Sequence, residues 1–105
     1  METLELGGNI VLTGFSDRDF TELIVVKKMV GQYARKLADT QERFARLEVV
    51  LKEIHHTPGS HGKFEIKTRA TVDGRDIHGE AVDHNIFVSL DNSLKHVTTQ
   101  LEKAQ

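Results

Sequence analysis

The segment that most constrains the fold is Lys63–Val72. Phe64, Ile66, Thr68, Ala70 and Val72 alternate there with Lys63, Glu65, Lys67, Arg69 and Thr71. A period of two sends one set toward a core and the other toward solvent. Asp73-Gly74 follows at once. That pair suits a type I′ turn, which needs positive φ at both central positions. Arg75 to about Val82 is therefore predicted to fold back as the paired strand. A hairpin with one apolar face needs another layer to cover it.

Two helical patterns supply that layer. In the last segment Ile86, Leu90, Leu94, Val97 and Leu101 recur at spacings of three and four, with Phe87 on the edge and Asp83 as the expected N-cap. In the first, Leu23, Val26, Val30, Tyr33 and Leu37 form a stripe, which Phe20 and Ile24 widen at its start. Ser16-Asp17-Arg18-Asp19 fits a capping box with Ser16 as N-cap, and the helix is expected to end near Leu37 or Ala38. Gly31 inside it costs about 1 kcal/mol against alanine. It permits close packing or exposes backbone to a partner.

Leu47, Val49 and Leu51 alternate with Glu48, Val50 and Lys52 and predict a further strand. Near the N-terminus Thr3–Leu6 alternate, Gly7-Gly8-Asn9 breaks the run, and Ile10 and Leu12 add inward positions before Gly14. The expected fold is α+β in the order β-α-β-β-β-α. It is a four-stranded mixed sheet with two helices packed on one face and the other face partly open. No repeat or shift of composition divides the chain, so residues 1–105 are expected to form a single domain.

Composition narrows the function. With no Cys, disulfides, thiolate catalysis and Cys-based zinc sites are excluded together. No apolar run approaches the roughly 20 residues that span a bilayer, and the start lacks the features of a signal peptide. A cytoplasmic location without a membrane partner is expected. The formal net charge of -2 argues against broad non-specific nucleic-acid binding but leaves room for a local basic face. There is no phosphate-binding glycine loop and no nucleophile elbow, and Asp73 and Asp76 flank a turn. Neither enzymatic activity, a cofactor nor a small-molecule substrate is expected. His55, His56 and His61 flank Pro58-Gly59, with His78 and His84 downstream, but their spacing matches no zinc pattern and no metal is expected.

The remaining surfaces are basic. On the first helix Lys27, Lys28 and Arg35 flank the apolar stripe with Gly31 between them, and Lys36 lies further around. On the last, Asn92, His96, Thr99 and Lys103 share a face away from the core stripe. Each is either an ordinary solvated flank or a surface that grips phosphates. Lys63, Lys67 and Arg69 project with Glu65 from the open sheet face. Mixed charge without stacking aromatics rules out an RNA-recognition-motif type of platform there.

Several stretches, in this order, carry a family resemblance. They are Leu4-Glu5-Leu6, Asn9-Ile10, Leu12-Thr13, FARLEVVLK from Phe44 to Lys52, KFEIKTRATVDGRDIHGEA from Lys63 to Ala81, Leu90-Asp91 and Gln100-Leu101-Glu102-Lys103. The chain resembles the short form of the ribosome hibernation-promoting factor and ribosome-associated inhibitor (sigma-54 modulation protein) family. The resemblance implies a β-α-β-β-β-α fold and binding to small-subunit rRNA, near where messenger and transfer RNA sit. It also implies silencing of translation in starved or stressed cells without catalysis. Under this reading the partner is the small ribosomal subunit, and the protein is a monomer or weak dimer. Phosphate contacts come from Lys27, Lys28, Arg35 and Lys36 on the first helix and Lys95, His96 and Lys103 on the last. Family members typically carry Asp-Lys-Leu and then Arg-Gln-Leu in the last helix. Here Lys95-His96-Val97 and Thr99-Gln100-Leu101 stand instead, so the Lys falls on His96 and the Arg on Thr99. The competing reading is a protein-binding or self-associating module on the same scaffold, with Val25, Met29 and Val50 as exposed apolar positions.

Overall fold

The predicted hairpin forms one edge of the sheet. In a computed structural model, which describes residues 2–54 and 62–104, β4 (Lys63–Val72) pairs antiparallel with β5 (Arg75–Asp83). Asp73 and Gly74 take φ of 53° and 74°, the left-handed pair a type I′ turn requires. Ile66, Thr68, Ala70 and Val72 are buried on one face of β4, as the alternation demands.

The rest is laid out on this hairpin. β1 (Thr3–Leu6) and β2 (Ile10–Thr13) precede α1 (Phe20–Thr40), β3 (Phe44–Ile54) follows it, and α2 (Ile86–Ala104) comes last. The fold is α+β with two helices, and the sheet has five strands in the order β1-β2-β3-β4-β5. That is one strand more than expected. Gly7 and Gly8, at φ 61° and 82°, turn the chain back on itself, so Thr3 pairs with Thr13 and Leu6 with Ile10. What reads as a break is a hairpin turn that only glycine enters without strain. β2 and β3 are parallel, and α1 is the crossover that such a pair needs.

The core lies between the sheet and the helix layer. Leu12, Phe15, Leu47, Val49 and Ile66 meet Val26 and Val30 of α1 and Leu90 and Val97 of α2, all fully buried. Each such side chain contributes about 1.5–3 kcal/mol relative to exposure. α2 sits unusually close to β4 and β5. A Cβ at Gly79 would collide with the Ser93 carbonyl and stand 2.7 Å from the Val97 nitrogen. The same closeness lets Ser89 Oγ donate to the Phe64 carbonyl at 2.8 Å and Ser93 Oγ to the Gly79 carbonyl at 3.2 Å. Buried hydroxyls satisfied in this way hold α2 in one register on the sheet.

Both helix starts fall later than the capping patterns suggest. Phe15 is fully buried and its carbonyl accepts from the Arg18 N–H at 3.0 Å. This turn uses Ser16, so Asp19 becomes the N-cap and accepts from the Thr21 N–H at 3.1 Å. At α2, β5 runs through Asp83, which pairs with Phe64. Asn85 therefore caps instead, accepting from the N–H groups of Phe87 and Val88 at 2.9 and 3.3 Å.

The apolar stripe of α1 is also narrower than expected. Val26, Val30, Ala34 and Leu37 are buried, whereas Phe20 is 76% exposed and Ile24 51%. Their flank rolls past the edge of the arc that the sheet covers. Of the apolar positions expected on the surface, Val25 is exposed, while Met29 and Val50 are half-buried.

Candidate nucleic-acid interface

Helical spacing divides the surface of α1 into two flanks. Phe20, Ile24, Lys27, Lys28, Gly31 and Arg35 fall on one side of the core stripe. Met29, Gln32, Tyr33 and Lys36 fall on the other and line a groove against α2, whose wall is Asp91, Leu94, Lys95, Thr98 and Thr99. The groove encloses about 540 Å³. It continues toward the helix C-termini past Leu37, Thr40 and Leu101 as a second recess of about 360 Å³. The Tyr33 hydroxyl and Thr98 Oγ1, 2.6 Å apart, bridge the helices beneath it. Burial raises the Tyr33 pKa above the ordinary phenol value, against the opposing pull of the Thr98 hydrogen bond.

The structure therefore distributes the seven expected contact residues over three places. Lys27, Lys28 and Arg35 stand on the flank of α1 away from α2. Lys36 and Lys95 meet on the inter-helix groove, where Lys95 Nζ is 2.8 Å from Asp91. His96 and Lys103, seven residues apart, share the flank of α2 that overhangs β5. His96 does not stand free: its Nδ1 accepts from the Glu80 N–H at 3.1 Å, and its Nε2 lies 3.1 Å from the Gln100 side-chain amide. With Lys67, His78, Gly79 and Glu80 it lines a recess of about 330 Å³ at the edge of β5. Thr99 is exposed and its hydroxyl donates to the Lys95 carbonyl at 3.2 Å.

Charge pairing separates most of these residues from most of the arginines. Lys27, Lys28, Arg35, Lys36 and Lys103 are exposed and form no ion pair among the described residues. Of the cations elsewhere, Arg18, Arg43, Arg46 and Arg69 are engaged, whereas Arg75, Lys52, Lys63 and Lys67 likewise form no ion pair among the described residues. Arg18 holds Glu22 through two hydrogen bonds of 3.1 and 3.0 Å, reaches Glu53, and lies 4.9 Å from the centroid of the Phe64 ring. Its pKa is raised, chiefly by the Glu22 hydrogen bond. On the open sheet face Arg46 Nε is 2.8 Å from Glu48, and Arg69 also pairs with Glu48. Unpaired, solvated cations can bind an anion without first breaking a bond, and paired ones cannot.

Two features of the helix layer were invisible as patterns. The exposure of Phe20 and Ile24 depends on how wide an arc of α1 the sheet covers. The lining of the groove by Gln32 and Thr98 depends on how the two helices sit side by side. Among the described residues no group of three metal-ligating side chains converges. His55, His56 and His61 lie outside the described residues. Nor is any described helix long and apolar enough to cross a membrane.

Comparison with known proteins places this architecture. No curated protein matches the chain. Among solved structures, a ribosomal subunit interface protein from Coxiella burnetii superposes with a TM-score of 0.55 over 91% of this chain and 93% of its own, at 12% identity. At that identity the likeness speaks for the fold. In sequence, residues 24–105 match the family described as Sigma 54 modulation protein / S30EA ribosomal protein. The match spans β3, β4, β5, α2 and nearly all of α1, and the chain belongs to that family.

Proposed function

We propose that this protein is a ribosome-associated translation regulator that binds small-subunit rRNA and silences ribosomes under stress. It acts in the cytoplasm by binding, without catalysis, as one hibernation-factor-like domain over residues 1–105 and as a monomer or weak dimer. The observation that carries the reading is the set of unpaired cations on the helix layer, Lys27, Lys28, Arg35, Lys36 and Lys103, in a chain of net charge -2. Family membership supports the ribosome as the source of the phosphates. His96 and Thr99 stand where relatives carry cations, so the α2 surface contributes less than that of α1. In a low-salt sucrose gradient of starved cells the protein is expected under the small-subunit or ribosome peaks. Finding it wholly in the soluble fraction would defeat the proposal.

A second reading, a protein-binding or self-associating module, draws on the exposed apolar residues Phe20, Ile24 and Val25 of α1. It requires a concentration-dependent dimer in light scattering that survives high salt.

A further inference from the structure

We infer that Phe20 is a base-stacking residue, and that the outer flank of α1 holds single-stranded RNA with one base on the Phe20 ring and phosphates on Lys27, Lys28 and Arg35. This rests on the RNA-binding reading above and adds to it the form of the strand and the residue that reads it.

Phe20 is the exception among the phenylalanines. Phe15 is fully buried, and Phe44, Phe64 and Phe87 pack against the core. Phe20 is 76% exposed. Leaving a phenylalanine in water forgoes about 1.5–3 kcal/mol of burial, and the first position of a helix does not require an aromatic ring. The fold gives this side chain no task.

Its neighbours suit a nucleic acid. Spacings of four, seven, eight and fifteen residues put Ile24, Lys27, Lys28 and Arg35 on the same flank. Helical side chains lean toward the N-terminus, so the two lysines reach back over the turn that carries Ile24 and toward the ring. From Phe20 to Arg35 the axis runs about 22 Å at 1.5 Å per residue. Even at the duplex spacing of roughly 3.4 Å per nucleotide this accommodates at most about six, and a strand with unstacked bases spans it with fewer. Gly31 stands midway between Lys27 and Arg35, and nothing lies within 4 Å of where its Cβ would be. A phosphate backbone can approach the helix closely there.

The local field sets the orientation. Asp17 and Asp19 are exposed beside Phe20, and Asp19 already occupies the helix N-terminus. Both repel a phosphate from that end, so the backbone lies over the lysines and the neutral face of a base meets the ring. Only an unpaired, unstacked base offers such a face, which excludes a duplex.

The chain contains no Trp, so Phe20→Trp introduces a single indole reporter at this position. The test titrates it with a short single-stranded RNA of mixed sequence, with the same sequence as a duplex, and with small ribosomal subunits. Single-stranded RNA is expected to quench the indole and the duplex to leave it unchanged. Phe20→Ala is expected to weaken single-strand binding about 5- to 150-fold with an unchanged Tm. Wild-type affinity in Phe20→Ala for both RNA and subunits would overturn the inference and leave the ribosomal reading intact. Failure of the wild type to bind either probe would overturn both. A salt-resistant dimer of the wild type that Phe20→Ala abolishes would assign the patch to a second copy of the chain and also overturn it.

Discussion

On the open face of the sheet Arg46 and Arg69 both reach Glu48, and Arg69 lies 3.9 Å from Asp76. On the helix layer Lys27, Lys28, Arg35, Lys36 and Lys103 reach no carboxylate among the described residues. The two faces contain the same residue types, and the sheet arginines differ from the helix cations in what stands opposite. Cross-strand neighbours are fixed by register, so Arg69 and Glu48 face each other on β4 and β3 and close a pair. Along α1 the outer cations form no pair among the described residues, although Asp39 stands one turn beyond Arg35, and they stay open. Exposed pairs of the first kind add little to stability, typically below 1 kcal/mol. What they do is neutralise two arginines of the sheet face, where Lys52 and Lys67 remain without an ion pair among the described residues.

The comparison breaks most readily by inverting it. Lys27, Lys28 and Arg35 changed together to Glu should weaken binding to small ribosomal subunits by on the order of 100-fold at low salt. Arg46→Gln with Arg69→Gln should leave binding unchanged. Equal losses in the two variants, read by co-sedimentation, would remove the distinction between the faces.

The second effect is expected in the opposite direction. His96→Lys with Thr99→Arg places one cation on the flank of α2 that overhangs β5 and one at the rim of the inter-helix groove, and should tighten subunit binding by about 10-fold at low salt. The lysine gives up the Glu80 N–H hydrogen bond, so the variant should also lose about 1 kcal/mol of stability in urea unfolding. Tighter binding with lower stability separates use of the surface from support of the fold. Unchanged affinity would mean that neither position meets RNA.

Gly31→Ala gives the smallest change. The substitution should stabilise the protein by about 1 kcal/mol, because a Cβ there meets nothing within 4 Å. It should nonetheless weaken subunit binding a few-fold by holding the phosphate backbone off the helix. A variant that gains stability and keeps full affinity would reduce Gly31 to an ordinary exposed helix position.

How much of this was legible in the sequence follows from what each signal reports. The β4–β5 hairpin was, because strict alternation and Asp73-Gly74 specify strand, register and turn together. The α2 stripe was, because Ile86, Leu90, Leu94, Val97 and Leu101 all enter the core. The β1–β2 hairpin was half-legible: four-residue arms carry little alternation, and two adjacent glycines read equally as a break or as a turn. The N-caps were misplaced because several residues at each site can cap, and the choice fell to the buried Phe15 turn and to the length of β5. For the surface, the sequence named the cations but not their pairing. Whether Arg69 is neutralised and Lys28 is not depends on the strand register and on the open space around a helix, and neither leaves a pattern in the residues themselves.

The central claim is that the unpaired cations of the helix layer meet phosphates. It is tested most directly by the salt dependence of binding to purified small subunits, for the wild type and for the variant with Lys27, Lys28 and Arg35 all changed to Gln. Each phosphate contact contributes about 0.7–0.9 to the slope of log affinity against log salt. The account predicts a steep wild-type slope that becomes shallower by about 2 to 3 in the triple variant. Identical slopes for the two proteins would contradict it.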